Sequence, residues 1–166
     1  MKQLQKFSEA VNNVVSHIGM VFFIILIIAC VLQVFFRFIL NNSLSWSEEL
    51  ARYCFIWMHM LGTSLLIPTR GHATVTAVLD LLHGPVRKVV DVIIELIIFA
   101  SGAIMLYSGA VLSWSSRKNL STAMSVPMWM INSSVAVGGI LLMLQAFVAI
   151  VLILGNSEQK GETITL

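Results

Sequence analysis

The charged side chains that could do chemistry in this chain form two rows at helical spacing. In the first row, Glu48 and Arg52 are four residues apart, and Phe55 and His59 continue along the same helical face. Carboxylates suit the positive first turn of a helix, and an arginine four residues further on can pair with Glu48. Glu49 could also reach Arg52 from three residues away. The row is either a self-neutralised helix start or a surface that binds another protein.

The second row lies later in the chain, where Arg87, Asp91 and Glu95 follow one another at intervals of four residues. Glu95 is the most deeply placed of these carboxylates, so it could carry a proton through a membrane. Arg87 and Asp91 on the same face favour a ladder of ion pairs instead. The spacing therefore predicts a structural row first and a proton carrier second.

Histidines and cysteines do not form a catalytic or metal-binding pattern. His59 alone would lie deep in a membrane span, whereas His17 is at a helix start, so a haem held by two histidines lacks its second ligand. His72, Asp80 and His83 do not have the spacing of a metal site. Since there is also no nucleophile triad and no phosphate loop, the sequence predicts a non-enzyme without a cofactor or a metal of its own.

The helices that position these rows belong to a chain with unusually few charged residues. Residues 119–157 contain no Asp, Glu, Lys or Arg, and the whole chain is 58% hydrophobic and 11% charged. Soluble domains have about 25% charged residues, and a bilayer is the solvent that accepts runs of this kind. The net charge of +2 is too small and scattered to predict nucleic-acid binding. The composition indicates an integral membrane protein.

Four apolar runs predict four transmembrane helices in a single membrane domain over residues 1–166, at about 14–36, 45–67, 86–116 and 127–154. The runs are long and do not alternate, which favours helices over barrel strands. Gly109 with Ser113, and Ser134 with Gly138, have the small-residue spacing that lets helices pack closely. The predicted fold is therefore an all-α bundle.

Residues 72–83 predict a short amphipathic helix that lies in the membrane interface. Its apolar side chains recur at intervals of three and four, and its polar side chains form an adjoining stripe. The apolar residues are Val75, Val78, Leu79 and Leu82, and the polar ones are His72, Thr76, Asp80 and His83. The helix is either a connector with its apolar face in lipid or a platform that braces a partner subunit. The pattern alone favours the connector.

The distribution of basic residues predicts that both termini are cytoplasmic. On that orientation the inside carries Lys2, Lys6, Arg70, Arg87, Lys88 and Lys160, and the outside carries Arg37, Arg52, Arg117 and Lys118. The excess inside is small but has the sign of the positive-inside rule. Trp46, Trp114 and Trp129 then share one membrane face, as an aromatic belt does.

A set of residues around the first two spans resembles the signature of a transporter family. They are Arg37-Phe38, Leu44-Ser45-Trp46-Ser47-Glu48-Glu49-Leu50-Ala51-Arg52, Phe55-Ile56-Trp57, Gly62 and Arg70-Gly71-His72. The chain resembles the small membrane subunit, the DctQ-like subunit, of tripartite ATP-independent periplasmic (TRAP) transporters. The W-x-E-E-x-x-R core is the most specific part, and the likeness covers nearly the whole chain. Thr76 departs from it, because such subunits often have an acidic residue there.

This resemblance implies a scaffold subunit in a bacterial inner membrane. A periplasmic binding protein would deliver an organic acid to a large subunit that carries substrate and sodium, and this chain would brace that subunit and help dock the binding protein. The substrate would be sialic acid or a C4-dicarboxylate, with general likeness favouring sialic acid. Membrane lipids are the remaining partner. The expected partner interface consists of Arg37, Trp46, Glu48, Glu49, Arg52, His59, Val75, Leu79 and Asp80.

Two other functions stay open on the residues alone. A small self-sufficient proton-coupled transporter could oligomerise around Glu95 or His59, although the first span offers no deep carboxylate. A haem-binding membrane anchor of a redox complex is the second. The chain has no broken helix or inverted repeat, the features that usually form a midplane substrate site, and this favours the scaffold.

Overall fold

The computed structural model describes residues 2–42, 44–67 and 85–162, and these form four α-helices. They are α1 (Lys2–Phe38), α2 (Ser45–Leu65), α3 (Pro85–Ser115) and α4 (Met128–Glu162). In these ranges the sole β-type pairing is an isolated bridge between Leu120 and Pro127. The all-α prediction is therefore confirmed for the described residues. The interfacial helix predicted at 72–83 lies outside them, and so do its site residues Val75, Leu79 and Asp80.

Among the described residues, three helices are long and apolar enough to cross a membrane. The candidate spans are Gln3–Phe38 in α1, Val89–Ser115 in α3 and Met128–Gly155 in α4. Helix α2 has 21 residues, three of which are charged (Glu48, Glu49 and Arg52), and it is not one of these three candidate spans. Helix α1 contains the predicted span at 14–36 and extends back to residue 2, because no proline or glycine interrupts the polar residues before its apolar run.

The helices are arranged as two hairpins, α1 with α2 and α3 with α4, and α2 packs on α4 to join them. In the first hairpin, the ring of Phe22 stacks on Trp57 with centroids 5.8 Å apart. Helix α2 meets α4 at Gly138, where an added Cβ would lie 3.2 Å from the Cβ of Met60. These contacts connect all four helices into one bundle.

Small residues bring α3 and α4 to backbone contact. A Cβ added at Gly109 would lie 2.5 Å from the Ala136 nitrogen, and one at Gly139 would lie 2.6 Å from the Leu106 nitrogen. Real side chains do not tolerate such distances, so both positions require glycine for the helices to approach this closely. The close packing expected from Gly109 is confirmed, and Gly139 is a second contact point that the small-residue spacing did not single out.

Three polar side chains tie the start of α1 to the second half of α4. The Ser8 hydroxyl donates to Oε1 of Gln145 at 2.6 Å, and Nε2 of Gln145 donates to Oδ1 of Asn12 at 2.8 Å. Gln145 and Ser8 are buried. An amide within an apolar helix is costly unless it is hydrogen-bonded, and here both of its ends are satisfied.

The packing places the helix ends in a fixed order. The start of α2, the end of α3 and the start of α4 lie together with the connection of residues 116–127, and we call this the loop end of the bundle. The start of α1 lies beside the second half of α4, toward the opposite end. The W-x-E-E-x-x-R residues of α2 therefore all belong to the loop end.

Candidate partner interface on helix 2

The first row predicted from the sequence runs along the outer face of α2. Nη2 of Arg52 lies 3.2 Å from Oε1 of Glu48, and this ion pair has both side chains more than 60% exposed. The ring of Phe55 stacks on that of His59 with centroids 5.9 Å apart. The four side chains share one face, as their spacing predicts, and we call them the outer row.

The outer row points away from the rest of the described chain. Phe55 is 52% exposed, and His59 is exposed as well. The residues that α2 buries are on its other face: Ser47, Ala51, Cys54, Leu61 and Ser64. The Ser47 hydroxyl donates to the carbonyl of Leu44, just before the helix, and the Ser64 hydroxyl donates to that of Leu61, so these buried polar groups are satisfied.

Glu49 turns inward and binds the connection between α3 and α4. Its Oε2 accepts hydrogen bonds from the backbone N–H groups of Ala123 at 3.0 Å and Met124 at 2.8 Å. Its Oε1 accepts a hydrogen bond from the Tyr53 hydroxyl, which also lies 3.7 Å from Sδ of Met128. We call Glu49, Tyr53 and the two amides the inner latch. Arg52 pairs with Glu48, so the alternative pairing of Arg52 with Glu49 is not formed.

The connection held by the inner latch is a tight turn. The N–H of Ser121 donates to the Val126 carbonyl at 2.9 Å, and the N–H of Val126 donates to the Ser121 hydroxyl at 3.2 Å. Ser125 closes the turn with a φ of 54°, a backbone angle that residues other than glycine rarely adopt. The turn leaves the amides of Ala123 and Met124 pointing outward together, and a carboxylate is the acceptor that can bind both.

The inner latch was missed by the sequence analysis, although a signal for it exists. Successive residues of a helix point about 100° apart, so Glu48 and Glu49 cannot both face the same neighbour. On a helix that is packed on one side, an adjacent pair of acids can therefore place one of them toward the protein, where it needs donors. The spacing does not reveal which donors, because the two amides are 74 and 75 residues further along the chain.

The other predicted site residues are more dispersed. Arg37 is exposed at the end of α1, with its Cζ 5.8 Å from the centroid of Phe38. Trp46 is 40% exposed in the first turn of α2, two residues before Glu48. The second row of charges begins α3, at the opposite end of the bundle from Glu48, and its members Asp91 and Glu95 are half-buried.

In the part of the chain that the structure describes, no three His, Cys, Asp or Glu side chains gather closely enough to hold a metal ion. The groups on α2 bind by ion pairing, aromatic stacking and hydrogen bonding. The outer row thus has the chemistry of a recognition surface, and the inner latch has that of a structural contact.

Comparison with known proteins places both features inside one family match. The sequence model for the DctQ component of tripartite ATP-independent periplasmic transporters matches residues 26–155, which include all of α2 and α3. Over 139 residues the chain is 28% identical to the sialic acid TRAP transporter small permease protein SiaQ of Vibrio cholerae. That alignment covers 83% of this chain and 80% of SiaQ.

Two relatives from Haemophilus influenzae match shorter stretches. A putative TRAP transporter small permease protein is 26% identical over 109 residues, which are 62% of this chain and 66% of that protein. The sialic acid TRAP transporter permease protein SiaT is 25% identical over 99 residues, which are 60% of this chain but 16% of SiaT. This chain therefore spans only a small part of SiaT, and most of SiaT lies outside the match.

Proposed function

Because the chain belongs to the DctQ component family of tripartite ATP-independent periplasmic transporters, we propose that it is the scaffold subunit of such a transporter. It braces a large transport subunit and helps a periplasmic substrate-binding protein to dock, without carrying substrate itself. On this proposal α2 is a fourth crossing, the chain lies in the bacterial inner membrane, and both termini are cytoplasmic.

The observation that carries the proposal is the outer row on α2. A helix of 21 residues is roughly 30 Å long, the thickness of a hydrocarbon core. His59 would then lie about 20 Å along a membrane-crossing helix, with Glu48 and Arg52 on the same outward face. Ionised and polar side chains are costly against lipid tails. A protein partner that covers this face removes that cost, and the large subunit is the partner that such a transporter supplies.

The match to SiaT supports direct contact with a large subunit. A segment similar to this chain makes up 16% of that longer permease protein. We infer that SiaT joins the small-subunit part and the transport part in one polypeptide, so the two parts work side by side. In our protein the same contact would form between separate chains.

The substrate of the assembly is proposed from the relatives rather than from any residue of α2. Two relatives are named as sialic acid TRAP transporter proteins. We therefore propose an organic acid, with sialic acid preferred over a C4-dicarboxylate. Sodium would couple to transport in the large subunit, and this chain would bind neither ion nor substrate.

Co-purification with the large subunit tests the role of the outer row. Glu48→Arg and Arg52→Glu each place two like charges four residues apart, and we expect each to lower recovery of the complex several-fold. The double variant restores the pair in reverse and should recover part of the loss. Glu9→Arg on α1 is the control, because Glu9 is exposed outside the row. Unchanged recovery for both single variants would reduce the row to a solvated helix start.

Uptake measurements test the scaffold role itself. Proteoliposomes that contain only this chain should take up no more labelled sialic acid than empty vesicles. Adding the large subunit and the binding protein, with a sodium gradient, should restore uptake. Accumulation by this chain alone would show that it is a carrier and would overturn the proposal.

A further inference from the structure

A depression at the loop end lies between the last turns of α3 and the first turn of α4. It has a volume of about 280 Å³ and is lined by Ala110, Ser113, Trp114, Arg117 and Trp129. Its lining is mostly apolar. A volume below the 300–1,000 Å³ of typical small-molecule pockets suits one end of an elongated molecule rather than a whole compact ligand.

Arg117 gives this depression a positive rim. Its Cζ lies 4.2 Å from the centroid of the Trp114 ring, so the guanidinium rests on the indole face. Among the described residues no carboxylate pairs with it, since Glu48 pairs with Arg52 and Glu49 binds backbone amides. Lys118 follows and is also exposed. The rim can therefore bind an anion without displacing an internal partner.

The floor of the depression has little capacity for polar ligands. The Ser113 hydroxyl donates to the Trp129 carbonyl at 3.4 Å, which ties α3 to α4 beneath the rim. Ala110 and the two indoles supply the remaining surface. Trp114 is 70% exposed and Trp129 is 44% exposed, although both are large apolar side chains. Exposed tryptophans at the ends of membrane helices are typical of the layer where headgroups meet hydrocarbon.

We propose that this depression binds a glycerophospholipid with an anionic headgroup. The phosphate would pair with Arg117, and the upper part of one acyl chain would lie in the slot between Trp114 and Trp129. The two neighbouring cations, Arg117 and Lys118, favour phosphatidylglycerol over a zwitterionic lipid. Trp114 would be shared by both parts, because its ring supports the guanidinium and also lines the depression.

Native mass spectrometry of the full chain, purified in detergent and titrated with phosphatidylglycerol, tests the site. Arg117→Gln should weaken binding of the first lipid about tenfold, which is about 1.4 kcal/mol. Ala110→Leu fills the slot without changing charge and should weaken it as well. Circular dichroism should show that each variant keeps its helices.

Two control variants test whether the lipid binds at this site rather than being attracted to any exposed cation or apolar surface of the chain. Arg37→Gln removes another exposed arginine beside an aromatic ring, and Val111→Leu enlarges an exposed side chain that does not line the depression. Both should bind the lipid as the unaltered chain does. The proposal is overturned if Arg117→Gln binds normally, if Arg37→Gln is equally weakened, or if excess inorganic phosphate displaces the lipid completely. That last result would identify a site for free anions.

Discussion

Two adjacent glutamates on α2 show how differently one side chain can be used. Glu48 points outward and forms an exposed ion pair within its own helix, whereas Glu49 points inward and accepts hydrogen bonds from a turn 74 and 75 residues away. Their chemistry is the same and their positions differ by one residue. The difference shows that adjacent residues of the W-x-E-E-x-x-R core have different environments, one in an internal contact and one on the exposed face of α2.

The partners of each glutamate decide how much it contributes to the stability of the isolated chain. Exposed ion pairs contribute little, because water already solvates both charges. Removal of a carboxylate that accepts from two amides and a phenol breaks three hydrogen bonds at once. We therefore expect the inner latch to govern the stability of the subunit and the outer row to govern its assembly.

The largest effect should come from Glu49→Ala in the isolated chain. Loss of the carboxylate frees the turn at Ala123 and Met124, and we expect the thermal midpoint in detergent to fall by roughly 5 °C. Hydrogen exchange at those two amides should accelerate. Glu49→Gln keeps one acceptor oxygen, so its thermal midpoint should lie between those of the unaltered chain and Glu49→Ala. The matched change, Glu48→Ala, should shift the midpoint by no more than about 2 °C. Equal shifts for both alanine variants would erase the contrast between the two glutamates.

A second effect separates assembly from stability. Phe55→Ala removes an aromatic side chain of the outer row that is 52% exposed in the subunit. Its thermal midpoint alone should hardly change, but recovery of the complex should fall several-fold, since aromatic side chains dominate buried interfaces. Phe23→Ala is the control, because Phe23 is similarly exposed on α1 outside the row. Loss of the complex with Phe23→Ala but not with Phe55→Ala would move the interface to α1.

The smallest effect should follow Tyr53→Phe. This change removes one of the three donors to Glu49 and keeps the ring, so the two backbone amides still hold the carboxylate. We expect the thermal midpoint to fall by roughly 2 °C, as for one net hydrogen bond. A fall as large as that of Glu49→Ala would show that the phenol, rather than the turn, is the main partner of the carboxylate.

Much of the fold could be predicted because it depends on local composition. The uncharged run at 119–157 and the periodic row from Glu48 to His59 need only the sequence and the geometry of a helix, and the all-α fold of the described residues follows from them. The TRAP resemblance rests on residues between Arg37 and His72, most specifically on the W-x-E-E-x-x-R core of α2, and it is confirmed by the family match.

The contacts that could not be predicted join residues far apart in the chain. The donors to Glu49 become neighbours only after α3 and α4 have packed, and the backbone contact at Gly139 depends on which residue of α3 faces it. Periodicity states which face a residue occupies, but it does not state what lies opposite. The partner of Glu49 therefore required the three-dimensional arrangement.

The hydrogen bonds between Gln145 and α1 can form only after α4 has been synthesised. Ser8 and Asn12 are synthesised first, but their partner follows 137 and 133 residues later. Among the described helices, α1 contacts only α2 and α4, so α2 is the one partner available to it before α4 has been made. The Ser8 hydroxyl and the side-chain carbonyl of Asn12 therefore gain their partner only when Gln145 has been synthesised and α4 has packed on α1.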